Sequence, residues 1–481
     1  MTGYKQILFV LGLLLTMMGF AMFIPAMADI IHGNADWKTF LISSLVAIFL
    51  GGAMFIPTRD VGEALNKRDV FILIPLAWVV MPLIATLPIY TSELNLSFAD
   101  SYFEAVSGVT TTGATVLTGL DNAPPGILLW RSLLQWMGGV GIVVMASGIL
   151  PITQVGGMQL LQLEFDSRME KVLPRTAQLS LVIILVYAII TIICAFLYFI
   201  FGMSGFDAIN HAMTTVATGG YSTHDASMAY FQNKNILITS TIFMIIASFS
   251  FVLVITSVRG GSKEFFRDVQ AKWLITILAV VIGYMIYNNM GYFDNIYDNI
   301  LHTSFNVTSL MTGTGYTTVD YNGWGGIAVP LLVFIMLLGG GAGSTTCGIK
   351  IFRLKIMIET IHSYLKSLIH PNGVFVPYYG NKAIKPDVSI AVVGYLVVFL
   401  LTLLIFTIIF GSLGYDLITA LSAAASALSC VGPGLGDIIG PTGNFADVSL
   451  SFKWVFIVGM LIGRLEIFTV LILLVPSFWN K

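Results

Sequence analysis

The chain is 481 residues long, 57% hydrophobic and only 10% charged, with a mean hydropathy of +0.89 and a net charge of −2. Soluble domains usually carry about 25% charged residues, so the composition leaves a polytopic membrane protein with no soluble domain of useful size. A net charge this small says nothing about partners, and no nucleic-acid partner is expected.

Spanning a bilayer takes about 20 apolar residues. Two such segments come first, near 6–28 and 39–57, and read as an accessory pair in a region 1–60. The first follows Lys5 and lacks a small-residue cleavage site, so it reads as a retained helix rather than a removed signal peptide. Four similar units follow, over 61–177, 178–265, 266–378 and 379–481. Each has a span, a short half-helix, a strip rich in Thr and Gly, and a second span. Repetition of one unit is itself an architectural signal. The expected fold is all-α: four tandem span–pore-loop–span repeats around a pseudo-fourfold pore, plus two N-terminal accessory helices. Spans are expected near 70–92, 126–150, 178–202 and 234–257, with the later units running to about 369 and 478.

The four strips are Thr110-Thr-Thr-Gly-Ala-Thr115, Thr218-Gly-Gly-Tyr-Ser-Thr223, Gly313-Thr-Gly-Tyr-Thr-Thr318 and Cys430-Val-Gly-Pro-Gly-Leu435. Extended backbone at membrane depth is tolerated only where it is buried in protein or lines water. Carbonyls along such a strip can replace the hydration shell of a cation, and Gly reaches conformations closed to other residues. Aligning Gly113, Gly220, Gly315 and Gly432 spaces them 107, 95 and 117 residues apart. Gly219 competes with Gly220 in the second strip; Gly220 aligns better because Gly220-Tyr221 then matches Gly315-Tyr316. The candidate ion-binding set is Thr111, Thr112, Gly113, Thr218, Gly219, Gly220, Gly313, Thr314, Gly315, Cys430, Val431 and Gly432. Within it, the cation would sit at Thr112, Gly113, Gly219, Gly220, Thr314, Gly315, Val431 and Gly432.

Lys and Arg set the orientation. The connectors 58–69, 151–177, 258–272 and 350–386 hold 3, 3, 4 and 6 of them, 16 of the 23 in the chain. The positive-inside rule then places both termini in the cytoplasm and opens the strips outward. The outward segments carry acids, among them Glu93, Asp100, Glu104, Asp121, Asp207, Asp225, Asp294, Asp298, Asp416, Asp437 and Asp447. A surface of one sign concentrates counter-ions, so these acids favour cation entry, although any single one reads as an ordinary loop residue.

In the third unit the second span breaks into Gly339-Gly-Gly-Ala-Gly-Ser-Thr-Thr-Cys-Gly348. Each glycine costs roughly 1 kcal/mol in a helix interior, so this run should unwind across the ion path. It is the one span expected to be interrupted. Gly339, Gly340, Gly341, Gly343, Ser344, Thr345, Thr346 and Gly348 are therefore candidate gating residues. In the fourth unit Arg464 lies 11 residues past Lys453, about 16 Å along a helix. An arginine at that depth costs about 2.5–3.5 kcal/mol and needs water or a partner. Glu466 is about 200° around the helix and is not an obvious one; the carbonyls of an unwound loop are. The cysteines Cys194, Cys347 and Cys430 show no metal or disulfide spacing, and no catalytic or nucleotide-binding motif stands out. The chain reads as no enzyme, with no organic cofactor and no catalytic residues, and any nucleotide control must come from another polypeptide.

At this point the chain resembles the membrane subunit of bacterial Trk-type potassium uptake systems, of the TrkH/TrkG kind in the Trk/Ktr/HKT superfamily. The resemblance covers essentially the whole length. Its marks are Ser107-Gly-Val-Thr-Thr-Thr-Gly-Ala-Thr115, Gln135-Trp-Met-Gly-Gly-Val-Gly141, Gly156-Gly-Met-Gln-Leu160, Gly219-Gly-Tyr-Ser-Thr-His-Asp-Ala-Ser227, Ala342-Gly-Ser-Thr345, His370-Pro-Asn372, Gly432-Pro-Gly-Leu-Gly436 and Gly463-Arg-Leu-Glu-Ile-Phe-Thr469. It departs at Ser429-Cys430-Val431, where an Asn-rich step is expected, and at Thr346-Cys347, where glycine often continues. The resemblance implies filter glycines at Gly113, Gly220, Gly315 and Gly432, an intramembrane gating loop at 339–348 and Arg464 beneath the filter. It also implies K+ as the transported ion, a homodimer in the inner-membrane bilayer, and a cytosolic nucleotide-binding ring of the TrkA kind. The alternatives are a K+/Na+ or K+/H+ symporter and, in a different class, a structural or sensory membrane protein.

Overall fold

In lipid a helix must satisfy its backbone within itself, and long apolar helices are what these segments form. The computed structural model describes residues 3–59, 66–148, 176–261 and 263–479. The connector 151–177, apart from its last two residues, and with it the stretch 156–160, falls outside them, as do residues 60–65 and 149–150.

Seven described helices are long and apolar enough to cross a membrane, and two further pairs qualify if each bent pair is one span. Tyr4–His32 and Trp37–Thr58 form the N-terminal pair. They pack closely because small residues meet: a Cβ on Gly12 would collide with the Gly51 carbonyl, and Ser44 Oγ donates to Gly19 O at 2.7 Å. Small residues permit this approach in membranes.

Four times thereafter a long helix is followed by a short one. The long helices are Lys67–Tyr90, Thr176–Ile200, Val269–Asn288 and Pro386–Ser412. The short ones are Phe98–Val109, Gly205–Val216, Ile296–Met311 and Leu417–Ser429. At 12 to 16 residues the short helices reach only about 18–24 Å and cannot span. Each starts on a side-chain cap: Ser97, Ser204, Asn295 or Asp416 accepts a first-turn N–H, the usual device for the orphan donors there.

The return helices are Pro125–Gly148, Lys234–Ser248, Ala328–Leu337 and Leu450–Leu465. Here the structure departs from the expectation of one interrupted span. The helix from Lys234 bends by 100° before Phe251, and the helix from Leu450 bends by 106° at Glu466, whose φ is +62°. The expected continuous span 234–257 is therefore two helices. The reason is pairing: Ser248 O accepts from Gly341 N at 2.8 Å, and Phe251 N donates to Gly343 O at 3.1 Å. The groups that would continue the second helix bond to the unwound stretch of the third.

Candidate ion pathway

The four short helices end alike. The residue before the central glycine of each strip donates its N–H to a carbonyl five residues back: Thr112 to Ser107 at 2.9 Å, Gly219 to Thr214 at 2.9 Å, Thr314 to Ser309 at 2.9 Å and Val431 to Ser426 at 3.0 Å. The preceding residue is left-handed in every case, with φ of +55° at Thr111, +51° at Thr218, +70° at Gly313 and +52° at Cys430. This is a Schellman ending, normally built on glycine. Two residues later Gly113, Gly220, Gly315 and Gly432 are left-handed again, at +83°, +75°, +79° and +101°. Gly219 has no such φ, so Gly220 is the positional equivalent.

The strips form a closed ring. A Cβ on Gly113 would fall on the Gly219 carbonyl, one on Gly220 on that of Thr314, one on Gly315 on that of Val431, and one on Gly432 would crowd Thr112 O. Each central glycine thus abuts the carbonyl of the residue that precedes the next central glycine, in cyclic order. All four glycines line one cavity of about 80 Å³, together with Tyr221, Ser222, Thr317 and Pro433.

Side chains outside the candidate ion-binding set hold the ring from behind. Gln135 donates Nε2–H to Gly219 O at 2.7 Å and accepts from Tyr221 N at 3.1 Å. Tyr221 Oη donates to Glu104 O at 2.9 Å on the first short helix, and Tyr316 Oη to His211 O at 3.2 Å on the second. The carboxylate of Glu104 is buried and accepts from Arg131 Nε at 2.7 Å and Val116 N at 3.0 Å. Arg131 Nη1 also donates to Ser222 O at 3.0 Å. A charged pair within apolar sequence was the available signal for this strut.

Several of the acids expected to face outward are therefore not free entry charges. Glu104 is consumed by Arg131, Asp100 pairs with Lys453 at 2.6 Å, and Asp298 pairs with Lys234 at 2.5 Å. Asp121 meets His224 Nδ1 at 2.5 Å, and Asp207 accepts from Thr223 Oγ1 at 2.6 Å. Burial works against a charged His224, but Asp207 and Asp121 outweigh it and raise its pKa. The His224 hydrogen bond holds Asp121 below the usual carboxylate range.

On the other side of the ring lies the stretch 339–348, buried throughout. Thr345 Oγ1 donates to Ala247 O at 3.2 Å, Thr218 Oγ1 donates to Thr345 Oγ1 at 3.1 Å, and Ala342 N donates to Gln270 Oε1 at 2.8 Å. Gly339 N and Ile349 N pair with Ile349 O and Leu337 O at 2.9 and 2.8 Å. Arg464 is buried and donates to Thr345 O at 3.1 Å, to Cys347 Sγ at 3.0 Å and to Gly138 O at 3.0 Å. Glu466 instead holds Arg353, so Arg353, counted among the cytoplasmic basic residues, is buried on the helix Ile351–Ile369.

Residues 37–481 match the TrkH family, described as cation transport proteins. The chain belongs to the TrkH family. It is 38% identical to the Trk system potassium uptake protein TrkI of Halomonas elongata over 99% of this chain and 97% of that one. It is 35% identical to TrkH of Salmonella typhimurium, over 99% and 100%. The crystal structure of the potassium transporter TrkH from Vibrio parahaemolyticus matches with a TM-score of 0.91 and 33% identity, covering all of both chains. This TrkH-family chain is a multi-pass membrane transport protein and not an enzyme. Among the described residues no group of three or more His, Cys, Asp or Glu is placed to hold a metal.

Proposed function

We propose that the chain carries potassium inward through a K+-selective, channel-like pore whose filter is the ring of strips. The observation that carries this reading is the cyclic approach of each central glycine to its neighbour's carbonyl, which four unrelated loops would not produce. The ion sheds water for the carbonyls of residues such as Thr112, Gly219, Thr314 and Val431. The short helices end at the ring, and the negative ends of their dipoles favour a cation there. The membrane potential supplies about 2.3 kcal/mol per charge per 100 mV.

The stretch 339–348 is the gate in this reading, held across the path by Arg464. The four span–strip–span units build the pore, and the N-terminal pair stands outside it. The protein works as a homodimer in the bacterial inner membrane with both termini cytoplasmic. A cytosolic nucleotide-binding ring of the TrkA kind pulls on the helix Ile351–Ile369 to open the loop. The names of the relatives, Trk system potassium uptake proteins, support the choice of ion.

The test is Rb+ uptake into proteoliposomes under an inside-negative potential. Uptake that persists without a Na+ or H+ gradient, and that excess Na+ does not displace, is the expected result. Uptake that stops without the second ion means a symporter, and no uptake even from protein with the 339–348 stretch shortened rejects transport of this class.

A further inference from the structure

The four short helices carry a hydroxyl at the same place, six residues before the central glycine: Ser107, Thr214, Ser309 and Ser426. The backbone carbonyls of these residues accept the closing bond of each short helix. Their side chains are used differently. Ser309 Oγ donates to Tyr316 O at 2.8 Å, one residue past the central glycine of its strip. Thr214 Oγ1 meets the Tyr316 hydroxyl at 2.5 Å. Ser426 Oγ donates to Gly432 O at 2.8 Å, the carbonyl of the central glycine itself. Among the described residues, no other central glycine has its carbonyl held by a hydrogen bond; the carbonyl that Gln135 holds belongs to Gly219, the residue before one.

Two further measures set the fourth quarter of the ring apart. Gly432 has a φ of +101°, against +83°, +75° and +79° at Gly113, Gly220 and Gly315. A Cβ on Gly432 would stand 2.6 Å from the Thr112 carbonyl, whereas the other three contacts of this kind are 2.0, 1.8 and 2.0 Å. The fourth strip also has Pro433 where the second and third have Tyr221 and Tyr316, and so lacks the phenol that ties those strips to a neighbouring short helix. Ser426 is fully buried, and Gly432 lines the cavity of about 80 Å³ while Ser426 does not. The hydroxyl therefore draws on the Gly432 carbonyl from the protein side. A carbonyl oxygen has two lone pairs, so this bond does not exhaust it, but the bond fixes where the oxygen points.

We infer that Ser426 is a specificity-determining residue: its hydroxyl turns the Gly432 carbonyl toward the fourth short helix, so the fourth strip presents one fewer oxygen to the ion than the other three. Selectivity for potassium depends on the number and field strength of the carbonyls or on the size of the cage they form. On either basis, an oxygen withdrawn from one side lowers the K+ over Na+ preference. This inference rests on the ring being the filter.

The experiment measures Rb+ and Na+ uptake by the full-length chain in proteoliposomes, read as a permeability ratio, with 339–348 shortened in every variant where resting flux is too small to read. Ser426→Ala removes the side-chain bond and leaves the backbone bond from Val431 N to Ser426 O in place, so thermal unfolding in detergent stays close to the parent. The expected result is a severalfold rise in the Rb+ over Na+ ratio, a change that mere loosening of the strip would not produce. Ser426→Cys, a weaker donor, moves the ratio the same way, and Ser426→Thr, which keeps the hydroxyl, stays at the parent ratio. Ser309→Ala, whose bond lies past the central glycine, gives no rise. An unchanged or lower ratio in folded Ser426→Ala and Ser426→Cys overturns the inference. Gly315→Ser separates the two readings: if it lowers the ratio while Ser426→Ala fails to raise it, only the role of Ser426 falls, and if neither moves the ratio, the filter reading falls with it.

Discussion

Gly315 has a φ of +79°, and a Cβ there would strike both the Val431 carbonyl and the Pro433 ring. Serine at this position must push the neighbouring carbonyl out of register. In the proposed filter, Gly315→Ser therefore lowers the K+ over Na+ preference severalfold in protein that still folds, read as relative Rb+ and Na+ permeability. Unchanged permeability ratios would remove Gly315 from the filter. The strut behind the ring predicts differently. Glu104→Gln leaves Arg131 buried with its charge uncompensated, and breaking a buried pair on one side costs about 3–5 kcal/mol. Thermal unfolding in detergent should show a large loss, part of which Glu104→Gln with Arg131→Met recovers. At the edge of the cavity beside the ring, burial works against a charged His224, but Asp207 and Asp121 outweigh it and raise its pKa. A raised histidine pKa stabilises fully below the unfolded value of about 6.5 and loses that contribution as pH climbs through the folded one. Hydrogen exchange over 221–231 should quicken from pH 6 to 8.5 in the parent, and His224→Gln should abolish that extra pH dependence.

At the scale of elements, unwinding is shared. The glycine run explains the break after Leu337, but the bends after Ser248 and at Glu466 have no such composition. Their cause is the loop and its anchors. Gly341 N takes Ser248 O, Phe251 N takes Gly343 O, and Arg464 and Glu466 face opposite partners, one the loop and one Arg353. A hydrogen bond to a charged donor contributes about 1.5–3 kcal/mol, which shifts a closed-to-open ratio by roughly ten- to a hundredfold. Arg464→Ala, or a loop shortened within 339–348, should raise resting Rb+ flux without changing ion preference, since the ring is a separate element. Flux no faster than the parent at equal protein in the bilayer would put the gate elsewhere.

For the whole molecule, orientation follows from where the positive charges lie. Asn381 sits at the turn of the exposed hairpin joining Tyr378–Tyr379 to Lys382–Ala383, and Asn122 lies in the loop after the first strip. With the three native cysteines replaced, a cysteine at 122 should react with a membrane-impermeant reagent in intact cells, and one at 381 only after permeabilisation. The reverse pattern would invert the topology.

Composition and spacing were enough for the polytopic helical fold and for the unwound stretch after Leu337. These rest on local or periodic signals: apolar length, glycine content and charge, each measurable along the chain. The closed ring, the Schellman endings at Thr111, Thr218 and Cys430, and the bends after Ser248 and at Glu466 depended on tertiary structure. No propensity favours left-handed threonine or cysteine; such residues cost about 1–3 kcal/mol each and persist where surrounding packing dictates them. The fate of the acids was likewise undecidable from spacing, because Glu104 and Arg131 become partners only when the first short helix and its return helix pack together, and Asp100 and Lys453 only when the first and fourth units meet.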